Sequence, residues 1–243
     1  MSVYAWADIH GDRVLFNAVM NFLQPDDKVY FLGDAIDRGT DGWEILKIII
    51  NDPRFIFIKG NHEDMMCHAL QNFPRYSTST RAMEIWSWNG NTPTLNGINL
   101  DEDENVKEIL EQVNNLPIYA IYTNPDGEVF WLTHAGCDYV ENGLEAIDAE
   151  DLIWDRNHFI NNRWYNDNPN NLYIVHGHTP IVYLVEELSH YYDNLPEEIE
   201  PGAFYYAGGH KIDIDCGAVF TGVTVLLNLD TWDEEIFTTE DIS

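Results

Sequence analysis

The strongest constraint on the fold is the alternation of short apolar runs with helical patterns along the first 70 residues. Three apolar runs of strand length cover residues 3–7, 29–32 and 55–58. Apolar side chains at helical spacing follow each run, at residues 14–22, 43–50 and 64–70. Strands and helices that alternate at this spacing form a βαβαβ unit, so we predict a parallel sheet with helices packed against it.

The rest of the chain contains a helical insertion and further strands. We predict the insertion over residues 74–115 and a surface loop over the acidic stretch 186–209, which is rich in Pro and Gly. Further strands are predicted at residues 118–123, 129–133, 172–175, 212–214 and 223–229. The acidic residues 230–243 are expected to be frayed. We therefore predict one α/β domain over residues 1–243 that contains more than one sheet.

Composition and charge exclude several classes of function. The chain has 42 acidic and 12 basic residues, and a surface this negative repels nucleic acids and anionic membranes, so we expect neither as a partner. The charge leaves two interpretations open. It can serve solubility or adaptation to high salt, or it can favour basic peptide segments around a phosphorylated residue. No apolar stretch reaches the roughly 18 residues of a membrane span. The N-terminal residues lack the basic start of a signal peptide, and the three cysteines are far apart, so we expect a cytoplasmic protein without disulfides.

A polar motif follows each of the first three predicted strands. The motifs read DIHG from Asp8, GDAIDRG from Gly33 and GNHE from Gly60. Because parallel strands end at one edge of a sheet, we expect these motifs to face one crevice. His134 and His178 follow later apolar runs in the same way. One such cluster is weak evidence, but five together indicate a site for a hard or borderline divalent metal, since carboxylate, imidazole and amide ligands occur without thiolates.

The five motifs DxHG, GDxxDRG, GNHE, HAG and GHTP resemble the phosphoprotein phosphatase family of metallophosphoesterases, in its compact bacterial and bacteriophage form of the lambda type. The resemblance spans about residues 8–220, with the motifs in the family order. It implies a calcineurin-like α/β fold, a β-sandwich flanked by helices with a dinuclear metal centre at the carboxyl edge of the strands. Cys216 stands where the family usually has threonine, and the high negative charge is atypical.

The resemblance also implies a role for each motif residue. The implied metal ligands are Asp8, His10, Asp34, Asn61, His134 and His178, with Asp34 as the bridge. The implied catalytic residues are His62 as general acid, Asp37 as its partner, and Arg38 and Arg156 as the pair that binds phosphate. Asn61 is also expected to contact the substrate. The implied cofactor is a pair of divalent ions, manganese before iron, zinc, magnesium, nickel or cobalt.

The chemistry of these residues agrees with phosphoester hydrolysis. Two ions about 3.5–4 Å apart can bridge a water, lower its pKa and direct the hydroxide at phosphorus. Arginine forks can bind the phosphoryl oxygens while His62 protonates the leaving alcohol. We therefore predict a phosphomonoesterase, expected to be monomeric, that acts on phosphoserine and phosphothreonine in proteins or peptides, with phosphotyrosine as a further substrate.

Other functions remain open at this point. A related branch of the family hydrolyses dinucleoside polyphosphates, but it usually has alanine in place of Asp37 and tryptophan in place of Thr179. Nucleotides or cyclic phosphodiesters are further substrates to consider. A binding module without activity is disfavoured, because every implied ligand is present. Outside the ligand set, Glu63 is expected to support its loop by hydrogen bonds. Trp86 and Trp88 are expected to pack in the core of the insertion, with a peptide-binding wall as the alternative.

Overall fold

The computed structural model describes residues 1–160, 164–165, 167–183 and 200–242, and two five-stranded sheets form its frame. The first sheet contains β1 (Val3–Trp6), β2 (Lys28–Phe31), β3 (Phe55–Phe57), β9 (Val223–Asn228) and β10 (Glu234–Thr238). Its order is β10-β9-β1-β2-β3. The three N-terminal strands are parallel, as the βαβαβ pattern predicts, and β9 and β10 extend the sheet in antiparallel fashion.

The second sheet is built from the C-terminal half of the chain. It contains β4 (Tyr119–Thr123), β5 (Val129–Thr133), β6 (Leu172–His176), β7 (Phe204–Tyr206) and β8 (Lys211–Asp213), in the order β4-β5-β6-β8-β7. Strands β5, β6 and β8 are parallel, and the two edge strands are antiparallel to their neighbours. A hairpin joins β4 and β5 and turns at Gly127, which has a φ of 83°.

The two faces of β1 show how the layers are held together. Val3 and Ala5 are buried between the two sheets, whereas Tyr4 and Trp6 pack against the helices on the other side. This alternation follows from the two-residue period of a strand. A strand buried on both faces lies at the centre of a layered fold, so β1 separates the core of the sandwich from the core beneath the helices.

Helices cover the outer face of the first sheet. They are α1 (Arg13–Phe22), α2 (Gly42–Asn51), α3 (Asn61–Leu70) and, in the insertion, α4 (Arg81–Trp88), α5 (Thr92–Leu100) and α6 (Asp103–Asn114). Among the described residues, four shorter α-helices are α7 (Ala149–Trp154), α8 (Asn157–Ile160), α9 (Ala218–Thr221) and α10 (Thr239–Ile242). The helix α1 begins where the first motif ends, because the Asp12 carboxylate accepts hydrogen bonds from the N–H groups of Val14 and Leu15.

The predicted α/β fold with a helix-flanked sandwich is confirmed, and two local predictions are wrong. The described part of the predicted frayed stretch, residues 230–242, is ordered, because β10 pairs with β9 along its whole length and residue 243 lies outside the described residues. Part of the predicted 186–209 loop is also ordered, since β7 pairs with β8 in this segment, while residues 186–199 lie outside the described residues. Every helix in the described part of the chain is too short or too polar to cross a membrane.

Candidate metal centre

Five parallel strands from the two sheets end at one edge of the sandwich, and a predicted site residue follows each of them. After β1, β2, β3, β5 and β6 these residues are, in order, Asp8, Asp34, Asn61, His134 and His178. All five are buried. The predicted crevice therefore forms, and both sheets contribute to it.

Several residues at this edge have a backbone conformation that residues other than glycine rarely adopt. Eight non-glycine residues among those described have a positive φ, and six of them are predicted site residues. They are Asp8, His10, Asp34, Asp37, Arg38 and His178, with φ between 43° and 73°. Residues in the left-handed region cost free energy and are concentrated at functional sites, because the surrounding structure must hold them there.

Asp34 lies at the centre of the cluster. Two trios of buried side chains bring their ligand atoms within 4.8 Å of one another, and both contain Asp34. One trio adds His10 and His62, and the other adds Asp8 and His134. Oδ2 of Asp34 is 3.5 Å from Nε2 of His10, and Oδ1 of Asp34 is 3.5 Å from Nε2 of His134. A carboxylate shared by two groups in this way is suited to bridging two cations.

Glu63 fixes the loop that carries Asp34. Its carboxylate accepts hydrogen bonds from the N–H groups of Asp34 at 2.8 Å, Ala35 at 2.9 Å and Gly60 at 3.1 Å. This side chain therefore ties the second motif to the third. The expected supporting role of Glu63 agrees with these contacts.

The Nδ1 hydrogen bonds of His10 and His134 leave the other nitrogen of each ring with a lone pair to bind a metal. Nδ1 of His10 donates to the carbonyl of Ile36 at 2.8 Å, and Nδ1 of His134 donates to the carbonyl of Leu32 at 2.7 Å. Each Nε2 therefore carries the lone pair, and a metal-bound histidine typically shows this second hydrogen bond. Burial lowers the pKa of both imidazoles, so both are neutral at neutral pH, as ligation requires.

A second group of atoms with lone pairs converges beside Asp34. Oδ1 of Asn61 lies 2.8 Å from Nε2 of His134 and 3.0 Å from Nδ1 of His178, and the two ring nitrogens are 3.2 Å apart. Burial lowers the pKa of His178, and its Nε2 has no hydrogen-bond partner among the described residues. Each of these three atoms can offer a lone pair to one divalent cation, so the donor set fits a metal.

The remaining carboxylate, Asp8, is held from the opposite strand. The N–H of His178 donates to both of its oxygens, at 3.2 and 3.1 Å. Gly177, which precedes His178, packs so closely against Asp8 that no side chain fits there. A Cβ at this position would lie 1.9 Å from Oδ2 of Asp8. Burial raises the pKa of Asp8, and the nearby Asp215 raises it further. Positive charge at this edge would offset both effects.

His62 and Asp37 form a buried hydrogen-bonded pair beside the cluster. Nδ1 of His62 is 2.6 Å from Oδ2 of Asp37, which also accepts from Nε1 of Trp86 at 2.6 Å. The Thr94 hydroxyl donates to the other oxygen of Asp37 at 2.6 Å. Burial alone would lower the pKa of His62, but the carboxylates of Asp34 and Asp37 outweigh it and raise that pKa.

Trp86 and Thr94 are contacts of Asp37 that the sequence did not reveal. They lie on α4 and α5 of the insertion, where no motif marks them, and only the fold brings them to Asp37. Trp86 packs in the insertion as expected, but Trp88 does not, since 70% of it is exposed.

The two predicted arginines occupy different places. NH1 of Arg38 is 2.8 Å from Nε2 of His10, and its NH2 is 3.1 Å from Nε2 of His62, so this guanidinium lies at the centre of the site. Arg156 is exposed and lies at the rim, where its Nε donates to the Thr179 hydroxyl at 3.1 Å. Arg38 thus contacts the cluster directly, whereas Arg156 contacts Thr179, the residue next to His178.

Comparisons with known proteins agree with this geometry. The family model for calcineurin-like phosphoesterases matches residues 1–212. The chain is 28% identical over 158 residues to serine/threonine-protein phosphatase 2 of Escherichia coli K12, a match covering 63% of this chain and 66% of that one. It is 39% identical over 67 residues to the symmetrical bis(5'-nucleosyl)-tetraphosphatase of Wigglesworthia glossinidia brevipalpis, covering 26% of this chain and 25% of that one.

A solved structure shows the same fold over almost the whole chain. It is that of a protein assigned provisionally as a diadenosine tetraphosphatase, with a TM-score of 0.63 and 12% identity, covering 97% of this chain and 92% of the other. Because the family model spans most of the sequence and includes the three N-terminal motifs, the chain belongs to the calcineurin-like phosphoesterase family.

Proposed function

We propose that this chain is a metal-dependent phosphomonoester hydrolase that acts on phosphoserine and phosphothreonine in proteins, and on phosphotyrosine as well. The observation that carries the proposal is the buried pair of His62 and Asp37, 2.6 Å apart, beside the cluster of candidate ligands. An alkoxide is a poor leaving group, so a serine or threonine phosphate needs an acid in this position.

In this proposal the chain holds two divalent ions, with manganese expected. Asp8 and His10 would bind one ion, Asn61, His134 and His178 the other, and Asp34 would bridge them. When bound, such ions supply Lewis-acid stabilisation of the phosphoryl oxygens and an activated water. The neutral imidazoles and the converging lone pairs described above support this assignment.

The chain's own residues then bind the phosphoryl group and move one proton. In this proposal the Asp34 and Asp37 carboxylates favour the imidazolium form of His62 by raising its pKa. Nε2 would deliver the proton to the leaving oxygen once the Arg38 NH2 group, which lies 3.1 Å from Nε2, turns to the phosphoryl group. Arg38 and Arg156 donate hydrogen bonds to the phosphoryl oxygens, and the Asn61 amide adds a further donor. Trp86 and Thr94 keep the Asp37 carboxylate in place for each cycle.

A protein substrate is favoured over a dinucleotide for two reasons. Asp37 is present as the partner of the acid, and Thr179 is used as the hydrogen-bond acceptor of Arg156. In addition, the match to the E. coli protein named as a serine/threonine phosphatase is much longer than the match to the tetraphosphatase. The second candidate, hydrolysis of dinucleoside polyphosphates, keeps support from that shorter match of 39% identity.

The proposed partners follow from the charge of the chain. A formal net charge of −30 disfavours nucleic acids and anionic membranes and favours basic segments around a phosphorylated residue. We expect the protein to act in the cytoplasm and as a monomer.

The test measures turnover by metal-stripped protein before and after manganese is added. The substrates are p-nitrophenyl phosphate, a phosphothreonine peptide and diadenosine tetraphosphate. His62→Asn and Asp34→Asn should lose manganese-dependent turnover of the peptide. His68→Asn is the matched control, because the side chain of His68 is 72% exposed on α3 and should tolerate the change. Absence of metal-dependent turnover of any phosphoester would refute the proposal, and turnover of the dinucleotide alone would replace it with the second candidate.

A further inference from the structure

A sixth parallel strand end reaches the candidate metal centre and carries a residue without an assigned role. Strand β8 runs parallel to β6, with His176 opposite Asp213, and the pairing continues as the N–H of Ile214 donates to the His176 carbonyl at 2.9 Å. Two residues further along the two strands lie His178 and Asp215. Asp215 therefore follows β8 as His178 follows β6.

The Asp215 side chain is buried and only half of its carboxylate has a partner. It is 1% exposed, and its Oδ1 accepts a hydrogen bond from the N–H of Gly217 at 2.8 Å. Its Oδ2 has no hydrogen-bond partner among the described residues. A buried carboxylate oxygen that lacks a partner costs free energy, so this oxygen is expected to have one when the protein works.

The strand pairing shows which part of the site Asp215 faces. His178 and Asp215 each lie two residues beyond the paired His176 and Asp213, and the N–H of His178 donates to both oxygens of Asp8. The positive neighbours of Asp215 are Arg38 and Arg156, the two arginines of the proposed phosphate site. Asp215 therefore lies on the Asp8 side of the centre.

The two proposed ion positions differ in their number of protein ligands. Asn61, His134, His178 and Asp34 would serve one ion, whereas only Asp8, His10 and Asp34 would serve the other. The ion on the Asp8 side would therefore take more water ligands, and such waters would need hydrogen-bond acceptors in this buried site.

We propose that Asp215 is a positioning residue for the ion on the Asp8 side, with its Oδ2 accepting a hydrogen bond from water in the coordination shell of that ion. Outer partners of this kind raise metal affinity by holding the ligands in place. The inference rests on the proposed metal centre and is independent of the choice of phosphoester substrate.

The test compares two variants that remove the same charge. Asp215→Asn keeps an oxygen for the Gly217 N–H but removes the charge of the free Oδ2. Asp213→Asn is the matched control. Asp213 is equally buried, its Oδ2 also has no partner, and its Oδ1 accepts from the Asp215 N–H at 2.9 Å. Calorimetric titration of the metal-stripped proteins with Mn²⁺ should show one of two binding events weakened by about 10–100-fold in Asp215→Asn and unchanged in Asp213→Asn.

Stability without metal separates this role from a purely structural one. In EDTA, Asp215→Asn should melt at the wild-type temperature or above it, because the change removes a buried negative charge beside Asp8. If this variant fails to fold, Asp215→Glu replaces it, which keeps the charge but displaces the carboxylate, and the same loss of affinity is expected. Unchanged binding of both Mn²⁺ ions by a folded variant would overturn the inference and leave the proposed function standing. No Mn²⁺ binding by the wild type would overturn both.

Discussion

Replacing Asp37 by asparagine should separate acid catalysis from the other parts of the site. The Asp37 carboxylate accepts hydrogen bonds from His62, Trp86 and Thr94, each at 2.6 Å. An amide of the same shape can place its oxygen where Oδ2 accepts from His62 and Trp86. Its nitrogen then faces the Thr94 hydroxyl, which can accept as well as donate. The fold and the orientation of His62 are therefore expected to survive, and only the negative charge is lost.

The size of the effect depends on the leaving group. Without the carboxylate, the pKa of the buried His62 falls, and Nε2 no longer carries a proton at neutral pH, because the single proton of the neutral ring stays on Nδ1. Turnover of a phosphothreonine peptide should then fall by about 10²–10⁴-fold, the usual contribution of a general acid. Turnover of p-nitrophenyl phosphate, whose leaving group needs no proton, should fall by less than about tenfold.

The assay is kcat for both substrates with saturating manganese. Asp41→Asn is the control, since Asp41 is a half-buried acid of the same loop that pairs with Arg13 at 3.2 Å. The double variant of Asp37→Asn and His62→Asn should be no worse than His62→Asn alone, because the two residues act as a unit. An equal loss for both substrates, or a full additional loss in the double variant, would refute the assignment of His62 and Asp37 as an acid pair.

Four further outcomes follow from the site. Because carboxylates raise the pKa of His62 above 6.5, kcat for the peptide should persist above that pH and decline as pH rises through the raised value, and Asp37→Asn should move this decline to lower pH. Gly177→Ala should weaken Mn²⁺ binding at least about tenfold by calorimetry, because its Cβ would overlap the Asp8 carboxylate. Gly127→Ala is the control: its Cβ meets open space, so the positive φ at this turn should cost stability without changing Mn²⁺ binding. Thr179→Val removes the acceptor of Arg156 and should raise KM for the peptide by about 2–10-fold, with p-nitrophenyl phosphate as the less affected substrate. Mn²⁺ at 100 times the Kd of a site should stabilise the wild type by about 2.7 kcal/mol for each ion bound in thermal melts, an effect that Asp34→Asn should abolish.

The βαβαβ unit in the N-terminal half of the chain could be predicted from the sequence, whereas the edge strand β10 could not. The βαβαβ unit is marked by apolar periodicity and by a glycine-containing turn after each strand, so its prediction is confirmed. Strand β10 escaped prediction because Glu234 and Glu235 suppress the apolar signal. Its stability comes from pairing with β9, a contact that no local pattern encodes.

The candidate site divides in the same way. Residues in short motifs after strands are brought together as the resemblance implies, although their roles remain predictions. Trp86 and Thr94 reach the site from segments whose local sequence is unremarkable for chemistry, and Asp215 lies in a segment that resembles the family but to which no role was assigned. Their positions depend on how the insertion and β8 pack, which is a property of the tertiary structure.

The convergence of strand ends from both sheets has a consequence for folding. Asp8, Asp34 and Asn61 follow strands of the first sheet, whereas His134 and His178 follow strands of the second. These residues are separated by up to 170 positions in the chain, so closing the centre requires some of the least local contacts in the molecule, and such contacts form slowly. Bound ions would link the two sheets. Neither half of the chain can assemble the full ligand set alone. During refolding, tight metal binding should therefore appear only when the sandwich closes, later than the helices and later than either sheet.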